Sequence, residues 1–201
     1  MRMLMLATVI VGLAAGTSGA APTIASGAYD NTLLIGVDPA SGAVSGYFDM
    51  TQGPGPPVIS CAFYLRGHLA GSRAAVDTFY PDDPKGDLIR GALSAQGPGK
   101  VRVALPTEHG GCGNVWQFAD NTQPADFTLQ GAKPWTSVRV VHAAKAYFYP
   151  TPGAAAHGKG YLVKGDGVGV RAAQAGWVQA DFVGETRTSS GWLREADLYA
   201  P

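Results

Sequence analysis

Val58–Ile–Ser–Cys–Ala–Phe–Tyr–Leu65 and Lys100–Val–Arg–Val–Ala–Leu105 decide the fold. The first is dense in the β-branched and aromatic residues that suit a pleated surface. The second alternates: Val101, Val103 and Leu105 fall on one face, Lys100 and Arg102 on the other, which is the period of a half-buried strand. Working outward, Thr32–Val37 and Ala43–Phe48 flank the turn cluster Asp38–Pro–Ala–Ser–Gly42 and read as a β-hairpin. Ala74–Tyr80 and Asp87–Leu93 are further strands, parted by the breaker Pro81–Gly86; Gln96–Gly99 is a turn, and Phe127–Leu129 a closing strand. Gly53–Pro57 is a loop, and Val115–Asn121 is expected to hold a helical turn. The prediction is all-β: an antiparallel β-sheet domain over residues 28–130, a small barrel or sandwich, after a short flexible lead from Ala21.

Composition points the same way. Of 201 residues, 28 are Gly and 14 are Pro, a load that argues against helix bundles and coiled coils and favours short strands with tight turns. Hydrophobic residues are 46%, enough for a packed core, and the length permits one domain or two small ones. Lys+Arg 15 against Asp+Glu 15 leaves no net charge, so a general nucleic-acid binder, which needs a basic face, is excluded.

The N-terminus reads as a signal peptide. Arg2 precedes the apolar run Leu4–Ala15, and small residues follow, with Ser18 and Ala20 suiting a cleavage site after Ala20. The run is shorter than the ~20 residues that span a bilayer, and no later segment is apolar enough. The mature chain is expected to be exported, periplasmic or secreted, with no membrane span.

Two cysteines, Cys61 and Cys112, are expected to form a disulfide in an oxidising compartment. A competing reading makes Cys112 a thiolate nucleophile with His109 as its base, a Cys/His hydrolase. The surrounding Glu108–His–Gly–Gly–Cys–Gly–Asn114 also reads as a rigid polar loop. Glu108, His109 and Asn114 would then insert into a partner's cleft, as in an inhibitor or immunity-type protein of an exported wall hydrolase. The four histidines, His68, His109, His142 and His157, show no ligand spacing, so no metal is expected, and no motif implies a cofactor.

Residues 135–201 form a second unit. Ser137–Val141, Ala144–Tyr149, Tyr161–Val170 with an internal turn, Gly176–Phe182 and Thr188–Leu193 are short strands, which suit a small closed barrel. The ordered segments Ala146–Tyr–Phe–Tyr–Pro150, Tyr161–Leu–Val–Lys–Gly–Asp166, Gly176–Trp–Val178, Gly191–Trp–Leu193 and Asp197–Leu–Tyr199 resemble a bacterial SH3-like (SH3b) domain. The resemblance covers about a third of the chain. It implies a small β-barrel and a role in recognising a peptide, a peptidoglycan fragment or an envelope protein. Ala172–Gly176 departs from it, being bland where relatives are more polar. Residues 28–130, through Tyr29–Leu33, Gly46–Phe48, Ser60–Leu65, Glu108–Asn114 and Phe118–Asp120, resemble uncharacterised secreted bacterial proteins that carry such a domain; no activity follows.

The candidate binding residues of the second unit are Tyr147, Tyr149, Tyr161, Trp177 and Trp192. Each Trp follows a Gly and is read either as core or as one wall of a shallow aromatic groove with the three tyrosines. Alternation places Tyr147 and Tyr149 on one face, expected outward, and Phe148 on the other, expected in the core. The leading expectation is a non-enzymatic exported binding protein.

Overall fold

The computed structural model describes residues 23–55, 58–86 and 88–199. The signal-peptide reading of residues 1–20 lies outside them.

The first unit resolves the barrel-or-sandwich alternative as a closed barrel. Eight antiparallel strands follow one another round the wall: β1 (Gly27–Tyr29), β2 (Leu33–Val37), β3 (Ala43–Gln52), β4 (Ile59–Ala70), β5 (Arg73–Phe79), β6 (Ile89–Ala95), β7 (Lys100–Ala104) and β8 (Ala125–Ala132). β8 returns to pair with β1, so no strand edge is left open. β1 is not expected as a strand from the sequence: it is three residues long, and the lead expected over Ala21–Gly27 runs into its first residue. The turn after it places Asp30 and Asn31 at φ 45 and 57, a left-handed conformation these two residue types tolerate. The Asp38–Gly42 turn is built as its composition requires. The Asp38 carboxylate accepts from Ala40 N (3.0 Å) and Ser41 Oγ (2.6 Å), and Gly42 takes φ 76.

Side chains fill the barrel. Leu33, Ile35, Phe48, Phe63, Leu65, Leu93, Val101, Val103 and Phe127 are essentially inaccessible. One end is closed by the β7–β8 connection. There Phe118 inserts edge-on between Phe48 and Phe63, with centroids 4.9 Å from each. A disulfide between Cys61 on β4 and Cys112 ties this lid to the wall. The helical turn expected over Val115–Asn121 lies earlier, as a 3₁₀ turn at Cys112–Asn114. Residues 115–121 run irregularly because Val115 and Phe118 must both reach the barrel interior.

The second unit is a half-barrel. Its five-stranded antiparallel sheet has the order β14-β13-β12-β9-β15, from β9 (Ser137–Val141), β12 (Gly167–Gln174), β13 (Trp177–Val183), β14 (Thr188–Arg194) and β15 (Leu198–Tyr199). A two-stranded ribbon, β10 (Ala146–Tyr147) with β11 (Tyr161–Leu162), is joined to β14 where Tyr149 and Trp192 exchange backbone hydrogen bonds of 2.8 and 2.9 Å. Val141, Ala146, Leu162, Val168, Val170, Val178, Ala180 and Leu193 form its core.

The two units share a seam. Val138 and Val140 of β9 pack on Tyr47, Tyr64 and Phe79, which face outward from the barrel wall. Tyr64 Oη donates to Val138 O (2.6 Å), and Val138 N donates to Ser45 Oγ (2.8 Å). The strands approach so closely at Gly36 that a Cβ there would lie 2.5 Å from the Ser137 carbonyl carbon. This explains why all of Val44–Phe48 is buried: one face looks into the barrel, the other is covered by the second unit.

Trp135, at the junction, is 1% exposed and lies flat over Gly169, where any Cβ would fall inside its ring. Its indole N–H donates to Asp181 Oδ2 at 2.9 Å. Asp181 also receives Arg171 Nε (2.8 Å), a second Arg171 nitrogen and Ser190 Oγ (2.6 Å).

Candidate functional site

The β10–β11 ribbon places Tyr147 opposite Tyr161 in register, with ring centroids 5.6 Å apart. The loop between them brings His157 back over Tyr147, stacked at 3.9 Å. His157 also meets Tyr149 edge-on at 5.8 Å, and Tyr149 meets Trp177 edge-on at 4.8 Å. The result is a continuous strip: Tyr161, Tyr147, His157, Tyr149, Trp177. A cation sits at each end. Lys145 Nζ lies 4.5 Å from the Tyr161 centroid, and Arg194 Cζ lies 5.3 Å from Tyr149 and 5.8 Å from Trp177.

Four of the five expected aromatic residues therefore meet through their rings. Trp192 is on the same outward face of the sheet as Trp177, since Trp177 pairs with Arg194 and Trp192 with Gln179. It joins the strip through its backbone bridge to Tyr149, and its ring touches no other strip ring among the described residues. Neither tryptophan is core; both are half-buried, and Val178 and Leu193 beside them point inward. The expectation that Tyr147 and Tyr149 share an exposed face is corrected. Tyr149 is 7% exposed while Tyr147 is half-buried and Phe148 only partly packed on the core. Strand alternation stops after Tyr147, where β10 ends, so it no longer governs the next two side chains.

Sequence reading missed His157, Lys145 and Arg194. His157 looks isolated in the chain, and only the ribbon fold brings it onto Tyr147. Its Nδ1 lies 2.7 Å from the Gly158 carbonyl, so Nδ1–H donates there and Nε2 is left to face solvent or a ligand. From Phe127 to Gly165 the chain has no acidic residue, and Lys145 and Lys159 flank the ribbon within that stretch.

The Glu108–Asn114 loop is arranged differently from the expectation. His109 is 2% exposed. It stacks on Phe63 at 5.0 Å, meets Tyr80 edge-on, and its Nε2 lies 2.8 Å from Thr78 Oγ1. Thr78 Oγ1 itself donates to Ile89 O, so it accepts from His109 Nε2–H. Glu108 is half-buried, and its Oε1 accepts from Ala119 N at 2.6 Å. Both polar side chains are turned into the lid, because a loop closing a barrel end must satisfy its own backbone there. Asn114 alone of the three is exposed, on the rim of a cleft of about 390 Å³ with Trp116, Gln117 and Pro124. The Cys112–His109 pair does not form a dyad: Cys112 Sγ is bonded to Cys61, which leaves no thiolate, and His109 is engaged by Thr78.

Among the described residues no three His, Cys, Asp or Glu side chains are grouped to hold a metal ion, and no helix is long and apolar enough to cross a membrane. Comparison with protein families, with curated proteins and with solved structures finds no match to this chain.

Proposed function

We propose that the chain is an exported, non-enzymatic binding protein of the bacterial envelope, and that its second unit recognises a peptide or cell-wall fragment through the strip Tyr161–Tyr147–His157–Tyr149–Trp177. The observation that carries this reading is the continuity of the strip, with a cation at either end. Flat aromatic faces take up sugar rings or peptide stems at little cost in side-chain entropy. Lys145 and Arg194 complement the carboxylates that such fragments carry. The ordered Gly-Trp and Lys-Gly-Asp segments that resemble a bacterial SH3-like domain favour the same partner class. The apolar N-terminal run and the Cys61–Cys112 bridge favour an exported, oxidising location.

Co-sedimentation with purified peptidoglycan tests the reading. The wild-type chain is expected to pellet with the wall polymer. Tyr147→Ala and Trp177→Ala are expected to weaken retention about 30-fold, the loss of a central aromatic contact. No retention of the wild type, or wild-type retention by both variants, would overturn it.

A further inference from the structure

The lid that closes the barrel carries a cleft of its own, which shares no residue with the strip. It measures about 390 Å³ and is lined by residues 113–117 with Gln123 and Pro124. That volume suits one small ligand. Its walls are held in place before any ligand arrives. Cys112 is bonded to Cys61, and the Cys112 carbonyl accepts from Val115 N and Trp116 N, both at 2.8 Å. Gln52 Nε2 reaches across from β3 to donate to Val115 O at 3.4 Å. A wall ordered in advance loses little entropy on binding.

Trp116 forms the apolar side. One face of its indole stacks on Phe127, with centroids 5.2 Å apart and planes 22° from parallel. Phe127 is 1% exposed, whereas Trp116 stays half-buried and reaches the cleft. The polar side is made of primary amides. Asn114, Gln117 and Gln123 are exposed, and none of their side chains hydrogen-bonds another described residue. Each amide offers both N–H donors and a carbonyl acceptor from one small group. No charged side chain lines the cleft, so a carboxylate, phosphate or ammonium would find no partner charge there. An uncharged ligand that is rich in hydroxyls and has an apolar face does match. The C–H face of a pyranose ring fits against the indole, and its hydroxyls fit the amides, which donate and accept as hydroxyls do.

We propose that the lid cleft binds a neutral pyranose sugar, stacked on Trp116 and hydrogen-bonded by Asn114, Gln117 and Gln123. The sugar is either a plain hexose or an N-acetylated hexosamine, since both present the same ring face and ring hydroxyls. This site is independent of the strip and stands even if the strip binds nothing.

The test is an NMR titration of the purified, isotope-labelled chain with cellobiose and, separately, with N,N′-diacetylchitobiose, each against sorbitol, an open-chain polyol without a ring face. Saturable shifts are expected at the Trp116 indole N–H and at the side-chain amides of Asn114, Gln117 and Gln123 with at least one disaccharide. The disaccharide that acts identifies the sugar. Gln117→Ala and Gln123→Ala, both at exposed positions, are each expected to weaken binding about fivefold, the worth of one hydrogen bond. Trp116→Ala is expected to abolish it, and Tyr147→Ala to leave it unchanged, which separates this site from the strip. Shifts no larger than with sorbitol, wild-type affinity in Trp116→Ala or in both glutamine variants, or loss of binding in Tyr147→Ala would overturn the proposal. Tighter binding of N-acetylalanine methylamide than of either disaccharide would give the cleft to a peptide and overturn it as well.

Discussion

Asp181 is 3% exposed and charged, and every contact around it answers that charge. Burial alone would raise its pKa. Hydrogen bonds from Arg171, Ser190 and Trp135, with the Arg171 charge, outweigh burial and hold the carboxyl below its ordinary value. A carboxyl whose folded pKa is depressed adds stability above its unfolded pKa and loses it as pH falls through the folded value. The unfolding midpoint in denaturant is therefore expected to hold down to about pH 5 and to decline below about pH 4. Asp181→Ala strips a buried charge partner from Arg171 and orphans the Trp135 indole. It is expected to cost about 3 kcal/mol at pH 7 and to flatten the acid limb. A variant that keeps the wild-type acid limb would contradict this assignment. None of this knot was legible in the sequence. Trp135 and Asp181 are 46 positions apart, and a lone Asp in a strand looks like a solvated one. The Cys61–Cys112 pair was legible, because two cysteines leave one intrachain pairing.

At the scale of elements, strands announced by alternation or by turn chemistry were readable: Val58–Leu65 over the first half of β4, Lys100–Leu105 over β7, and the hairpin about Asp38–Gly42. The lid was not, because its irregular path is dictated by where Phe118 and His109 must be buried rather than by any period. Phe118 and His109 bracket Phe63 and close the barrel end, and the disulfide fixes that closure across 51 residues of chain. Loop-closure entropy of that length is worth about 4 kcal/mol. Denaturant unfolding of Cys61→Ala/Cys112→Ala is expected to show a loss near that size. Parallel measurements on reduced and oxidised wild type should match it. A loss under about 1 kcal/mol would mean that the Phe118 plug alone secures the lid. The aromatic strip was half legible: its tyrosines and Trp177 stand out in sequence, whereas His157, Lys145 and Arg194 reach it only through the ribbon and the β13–β14 register.

The whole molecule is a filled barrel whose outer wall carries a half-barrel. The seam accounts for the aromatic residues of β3 and β4 that a barrel interior cannot hold: Phe48 and Phe63 point in, Tyr47 and Tyr64 point out into β9. With the barrel interior filled by side chains, the aromatic strip of the second unit is the surface on which the proposed function rests. The most direct measurement is an NMR titration of the full chain with a soluble disaccharide–peptide fragment of peptidoglycan, read at the side chains of Tyr147, His157, Tyr161 and Trp177. Saturable shifts confined to those rings and to Lys145 and Arg194, and lost in Tyr147→Ala, are the result this account requires. Unmoved strip resonances at saturating fragment, or shifts that persist in Tyr147→Ala, would contradict it.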